Sequence, residues 1–340
     1  MLGAGLLLSL AAYPAAGQAP AEFYGKSGLR VIVGNEVGGS YDLMGRLTSR
    51  HIVRHIPGNP SVVVQNMPGG GSLLATNHIY NVAPQDGSVL CAVVPTIVLT
   101  ALFKEPSARY DPTKLHWIGN AMDAVSVPTL FHTSGAKSLS DIKSREIIMG
   151  SGGISSMDAT NAYLFNALLG TKIKVVTGYA GGDAINLAME RGEIDGRASQ
   201  AWSAWKAVKP DWLRDGKLIP LLQLGLKPID DPMLKNVPLL VDLVANPADK
   251  ALAESYTSLG IMGRPMVMGP GVPPERVAAI RQAYKDMMKD PAFLADAAKQ
   301  RVDLNPMTGE ELQAMVATIY RLDAEQIARL EAIIKGKSKG

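Results

Sequence analysis

Short β-branched apolar runs alternate with segments of helical period along most of the chain. That alternation predicts an α/β fold on mostly parallel sheet. Residues 29–33 read as a strand, followed by a glycine loop and a helix over about 42–56. A strand over 61–65 precedes a helix over 73–82, and a third strand spans 89–94. From about residue 125 a second unit of the same kind begins, with a strand at 147–149, a glycine and serine loop, and a helix over about 158–169. On that helix Asn161, Leu164, Phe165, Leu168 and Leu169 share one face, and Gly170 supplies a left-handed stop. Strand 173–176, helix 183–191 and strand 194–198 continue the pattern. Near the end, Thr308 with Glu311 three residues on forms a capping box. The stripe Leu312, Met315, Val316, Ile319, Leu322, Ile327 and Leu330 then predicts one long helix packed across a domain.

A length of 340 residues points to two domains. With 47% apolar and 19% charged residues, the chain has ample core material and no signature of disorder. The formal net charge is +3, and Lys335, Lys337 and Lys339 of the solvated tail carry three of the positives. The remainder is balanced, which excludes nucleic acid as a partner. The single cysteine, Cys91, lies in an apolar run and reads as a small buried hydrophobe, so neither a disulfide framework nor a cysteine metal cluster is expected.

Residues 2–12 are uncharged and rich in Leu and Ala, and Tyr13-Pro14 and small residues follow as far as Ala21. No Lys or Arg precedes them, but the pattern is that of an apolar leader with a cleavage zone, so residues 1–21 are expected to be a signal peptide. The stretch is too short for a bilayer core of about 30 Å at 1.5 Å per residue. A soluble exported protein without disulfides suits a bacterial periplasm.

The main functional signal is a repeated device. The first copy runs Val31-Ile32-Val33-Gly34-Asn35-Glu36-Val37-Gly38-Gly39-Ser40-Tyr41-Asp42. The second runs Ile147-Ile148-Met149-Gly150-Ser151-Gly152-Gly153-Ile154-Ser155-Ser156-Met157-Asp158. In each, a strand enters a glycine turn and then a helix whose first turn carries Ser and Asp. Glycine lets backbone N–H groups approach a ligand, and a helix start leaves donors unpaired with partial positive charge. Ser40, Ser151, Ser155 and Ser156 add hydroxyl donors, while Asp42 and Asp158 suit the helix dipole better than catalysis. Replacing Gly39 by a β-branched residue is expected to block the geometry of the first loop. That loop lacks the G-K-[ST] of a P-loop and does not match G-x-G-x-x-G, and Gln65-Asn66 offers no acid for a ribose.

These loops, with Val62-Val63-Val64-Gln65-Asn66-Met67-Pro68-Gly69-Gly70-Gly71 and Ala83-Pro84-Gln85-Asp86-Gly87, resemble the solute-binding receptors of tripartite tricarboxylate transporters, the Bug family. So do Tyr179-Ala180-Gly181-Gly182, Arg191-Gly192-Glu193-Ile194-Asp195, Asn236-Val237-Pro238, Gly269-Pro270-Gly271-Val272-Pro273 and Asp290-Pro291, in the same order over about 24–330. The resemblance implies a type II periplasmic-binding-protein-like α/β fold of two lobes joined by two crossing strands, with the ligand cleft between them. It implies a monomer that holds an organic acid through loop amides, hydroxyls and ordered water and delivers it to an integral-membrane permease, without cofactor or metal. The expected ligand-binding set is Val37, Gly38, Gly39, Ser40, Tyr41 and Asp42, then Ser151, Gly152, Gly153, Ser155 and Ser156, then Tyr179, Ala180 and Gly181, with Arg197 as a possible carboxylate partner. The chain departs from the family pattern at Asn35-Glu36-Val37, at Tyr41 and at Met157-Asp158.

The expected lobes are residues 22–124 with 263–340, and residues 125–262, with crossings near 125–132 and 261–268. Trp202 and Trp205 fall on one helix face and read as core, and Met262 to Met268 as core and hinge filler. His51 and His55 lack a third metal ligand or the Glu of a zincin and read as surface helix residues. No nucleophile and base pairing or cofactor motif suggests an enzyme. The alternative to transport is a periplasmic receptor that presents its ligand to a sensor kinase. Di- and tricarboxylates, aromatic acids and zwitterions all remain open as ligands, and Glu36 keeps an amine-bearing one in play.

Overall fold

The computed structural model describes residues 19–122, 125–154, 156–300, 302 and 304–337. The expected signal peptide as far as residue 18, Ser155 and the end of the tail lie outside the described residues. Among those described, no helix is long and apolar enough to cross a membrane.

In chain order the strands are β1 (Leu29–Val33), β2 (Val62–Asn66), β3 (Val89–Ala92), β4 (His116–Asn120), β5 (Thr129–Phe131) and β6 (Ile147–Ser151). They continue with β7 (Ile173–Thr177), β8 (Gly196–Arg197), β9 (Leu218–Pro220), β10 (Met266–Met268) and β11 (Met307–Thr308). Two sheets result, ordered β11-β4-β10-β3-β1-β2 and β7-β6-β8-β5-β9. The fold is the expected two-sheet α/β architecture. Interior β1 is buried at every position but Arg30, as its near-continuous apolar run requires. Edge strand β2 alternates half-buried with exposed positions instead.

The sheets are mixed, which corrects the expectation of mostly parallel pairing. β1 pairs parallel with β2 and β3, and β6 with β7 and β8. β10, however, runs antiparallel between β3 and β4, and β5 antiparallel to β8 and β9. The reason is geometric. Each of these strands is the first that the chain forms on arriving from the other sheet, and it enters at the edge where the parallel strands end. It must therefore run against them.

The helix Ser40–Ile52 buries Met44, Leu47, Thr48, His51 and Ile52, one apolar-facing stripe at helical spacing. Burying a side chain such as Leu47 contributes roughly 1.5–3 kcal/mol. Cys91 is fully buried, as its apolar run predicts. The capping box at Thr308 and Glu311 is present, but the single long C-terminal helix is not. Helix Gly309–Ile319 stops, and Asp323 and Gln326 form a second capping box that starts Ala324–Ile334. The first of the two packs on β4 and on helix Pro247–Ile261. The last packs on helix Met157–Leu169, against the second sheet, and Arg329 pairs with Asp249.

His51 and His55 are not simple surface residues. His51 is buried, stands edge-on to Phe293 at 5.6 Å, and its Nε2 lies 2.9 Å from Asp296 Oδ2. His55 Nε2 lies 3.0 Å from Asp290 Oδ2, and Arg50 and Arg54 reach the same two carboxylates. These contacts staple Ser40–Ile52 and the turn after it to Pro291–Lys299. Hydrogen bonds from Arg54, the Ala292 amide and His55 hold the Asp290 carboxyl well below its usual range. Hydrogen bonds from His51, Gln300 and Arg50 do the same for Asp296.

A depressed carboxyl pKa stabilises the fold above the unfolded value of about 3.9 and loses that effect as pH falls through the folded one. Asp296→Asn is therefore expected to lower the melting temperature at pH 7. Its deficit relative to the parent should shrink as the pH is brought below about 4, in melts followed by circular dichroism. A deficit that stays constant with pH would assign the loss to packing.

Candidate functional site

The carboxyl ends of β1 and β3 in one sheet and of β6 and β8 in the other lead into the segments that border one hollow, the usual ligand position in open α/β sheets. Its volume is about 580 Å3, within the range of small-molecule sites. One wall comes from Tyr41, Gly71 and the segment Val94-Pro95-Thr96 with Leu99. The other comes from Ser126, Met157, Asp158, Arg197 and the stretch Ser199-Gln200-Ala201 with Ala204. Tyr256, Leu259, Gly260, Gly263 and Arg264 complete it beside the crossing. The residues that directly follow the two glycine loops, Tyr41 and Met157-Asp158, thus face a common cleft.

Two guanidinium groups line this cleft, and their situations differ. Arg197 is 5% exposed, and its Nη2 donates to Asp158 Oδ2 at 3.1 Å and its Nε to Oδ1 at 3.3 Å. Its Nη1 donates to Asn186 Oδ1 at 3.3 Å. Asp158 also accepts from the Ser199 amide at 2.9 Å. Burial pushes the Asp158 carboxyl up, and Arg197 and the Ser199 amide pull against that shift. The pair joins the start of helix Met157–Leu169 to the end of β8 and leaves no net charge. Arg264, in contrast, makes no ion pair among the described residues. Its carbon Cζ stands 5.5 Å from the centre of the Tyr41 ring, and its Nε is buried without a hydrogen-bond partner. Burial lowers its pKa and raises that of Tyr41 to about 12.

With Arg197 and Arg264 against Asp158, the lining carries one excess positive charge. A second hollow of about 610 Å3, bordered by Leu226, Lys227, Asp230, Pro306, Glu311 and Met315 among others, has two acids against one lysine. The signs of the two hollows therefore differ. Among the described residues, no group of three His, Cys, Asp or Glu side chains could hold a metal ion.

Of the expected ligand set, Tyr41 and Arg197 line the cleft. Asp42 does not: its carboxylate accepts from the Gly38 amide, Arg46 and Asn66, so it ties the first loop to β2. Val37, Gly38, Gly39 and Ser40 are exposed on the approach to Tyr41, and Glu36 is exposed with them. Gly39 has φ −77°, and a Cβ there would meet only ordinary contact. The left-handed position is Gly38, at φ +86°, so the steric demand expected of Gly39 falls on its neighbour. Ser151 is buried, and its Oγ donates to the Gly153 carbonyl at 2.8 Å and lies 2.5 Å from Ser156 Oγ. Gly152 backs onto the Tyr179 carbonyl, and Tyr179, Ala180 and Gly181 precede helix Gly182–Glu190 outside the cleft lining. Ser155 lies outside the described residues.

Trp202 and Trp205 are core residues, buried with Phe131 and Trp212. Met262, Met266 and Met268 are buried as expected, but the same stretch holds Arg264, which the reading of that segment as filler missed. Its signal was a lone charge inside an apolar run. The Val94-Pro95-Thr96 wall was missed as well, having no glycine motif to mark it.

Beside Arg264, the two passes of the chain between the sheets touch. Asn120 Oδ1 accepts from the Arg264 amide at 3.0 Å and from the Met122 amide at 3.2 Å. Gly263 has φ +60°, and a Cβ on it would overlap the Met122 carbonyl oxygen. β4 ends at Asn120, and Val125 already accepts from the Trp202 amide while Ser126 bridges Ala201 and Leu224, so the chain has joined the second unit at the start of the expected crossing of 125–132.

No protein-family model and no curated protein matches the chain. Solved structures do. A TctC solute-binding protein from Polaromonas, solved with no ligand, is 18% identical with a TM-score of 0.70 and covers 91% of this chain and 98% of its own. An R. palustris protein with adipate is 20% identical, with a TM-score of 0.58 over 89% and 96%. MatC from Rhodopseudomonas palustris with bound malate is 19% identical, with a TM-score of 0.56 over 90% and 98%. The fold is that of these solute-binding proteins, the kind that the sequence resembles.

Two substitutions test the frame of the cleft. Asp158→Ala strands a buried guanidinium and is expected to cost about 3–5 kcal/mol in denaturant unfolding. Gly263→Ala combines a left-handed backbone with a backbone clash and is expected to lower the melting temperature more than Gly39→Ala, which has both a permitted φ and room.

Proposed function

We propose that this chain is a periplasmic solute-binding receptor that captures a carboxylated small molecule between two lobes and delivers it to a membrane permease. The lobes are residues 22–124 with 263–340 and residues 125–262, with the final helix of the first reaching over the second. The observation that carries the reading is the excess positive charge of the cleft between the sheets. The fold shared with proteins solved with adipate and malate supports it.

Neither wall alone surrounds a ligand. Tyr41 and the 94–99 segment supply one side, and Ser126, Ser199 and Gln200 the other. A ligand that touches both favours the closed arrangement by its differential contacts, and the crossing at Asn120 and Gly263 is where the backbone turns. Export places such a receptor in the periplasm, where the permease is the recipient. Its activity is reversible binding, with no bond made or broken.

Thermal shift of the purified chain against organic acids and their uncharged amides tests the proposal. A cognate acid at 100 times its dissociation constant should stabilise by about 2.7 kcal/mol, and the matched amide should not. Equal shifts by acid and amide, or none with any acid, would remove the carboxylate-binding reading.

A further inference from the structure

We infer that the cleft selects acids with a single carboxylate and an apolar body, and that the carboxylate docks on Arg264 at the crossing. The inference rests on the binding function proposed above and deepens it to a ligand class.

Arg264 is held from behind. Its amide donates to Asn120 Oδ1, so its backbone is fixed at the start of β10, while its side chain lies over Tyr41 in the cleft lining. A guanidinium keeps its proton, and a partly buried one without an acid is electrostatically incomplete. A ligand carboxylate supplies the missing counter-ion, and its two oxygens match the guanidinium fork. Tyr41 limits the positions that the fork can take.

A second carboxylate finds no equivalent. Arg197 is committed to Asp158 and Asn186, and an anion brought beside it would also meet the Asp158 carboxylate. Three groups of the loops are engaged as well: the Gly38 amide donates to Asp42, and Ser151 and Ser156 bond one another. A carboxylate buried without a partner is costly. What the remaining lining offers is apolar surface on both sides, from Val94, Pro95 and Leu99 on one and from Met157, Ala201 and Leu259 on the other, with Thr96 and Gln200 as neutral polar groups and no further cation. Ser126 and Ser199, with hydroxyls 3.2 Å apart, can take a single neutral polar group.

Calorimetry on the full chain with two matched pairs of probes tests this: hexanoate against adipate, and benzoate against terephthalate. The expected result is at least tenfold tighter binding of the monocarboxylate in one pair or both. Arg264→Gln should weaken that binding by at least tenfold while Arg264→Lys retains part of it, with unchanged circular dichroism in both. Should the Gln variant fail to fold, the comparison within pairs and the Lys variant decide. Dicarboxylates that bind as tightly as their partners or more tightly would overturn the inference and leave the receptor reading intact. So would a folded Gln variant with parental affinity for the monocarboxylate. If none of the probes, nor any acid of the wider thermal-shift panel, binds the parent chain, the receptor reading falls and takes this inference with it.

Discussion

Between β4 and β5 and again before β10, the backbone leaves one sheet for the other, and the two passes lie so close that Gly263 has no room for a side chain. Both passes carry amides that need partners away from the sheets. Asn120 meets that need by accepting from Met122 on its own pass and from Arg264 on the other. This contact ties the two passes together just before β10, which inserts antiparallel between β3 and β4. It also fixes where Arg264 stands relative to the carboxyl ends of the parallel strands. The position of the cleft and the charge at its base follow from one close approach of two chain segments.

The charges around the cleft divide into those that hold the fold and those left over. Asp42 organises the first glycine loop, and Asp158 with Arg197 ties a helix start to a short strand. Each of these side chains is hydrogen-bonded to partners within the protein, so removing a partner exposes a desolvated charge. Arg264 has a backbone anchor and an aromatic neighbour but, among the described residues, no acid paired with it. A charge that water can reach is tolerable without a counter-ion. On the closure proposed above it would become unfavourable unless the ligand brought the opposite charge, which would couple the chemistry of the ligand to the position of the lobes.

Much of the local structure was legible in the chain. The strand into glycine loop into helix device occurs twice, Gly170 is in the left-handed conformation, and the Thr308 box caps its helix. Where reading by pattern failed, a local competitor or a distant partner was responsible. The apolar stripe through Leu312 and Leu330 ignored the Asp323 and Gln326 box that restarts the helix. His51 looked exposed because the helix that covers it, Pro291–Lys299, lies some 240 residues away in sequence. Asp42 looked available because Asn66 and Arg46 fold in to meet it.

The sequence by itself determined the element types, the two repeated loops and the kinship of the fold, because periodicity, capping and glycine turns act over a few residues. Only the tertiary structure decided which charged groups remain unsatisfied. In the chain Arg197 has Asp195 two residues before it and Arg264 has only apolar residues and glycine around it, yet Arg197 pairs with the distant Asp158 rather than with that neighbour. Their difference arises from a residue 39 positions away in one case and, among the described residues, from the lack of a paired acid in the other. Pairing of buried charge is settled by three-dimensional proximity and desolvation, and a linear pattern contains neither.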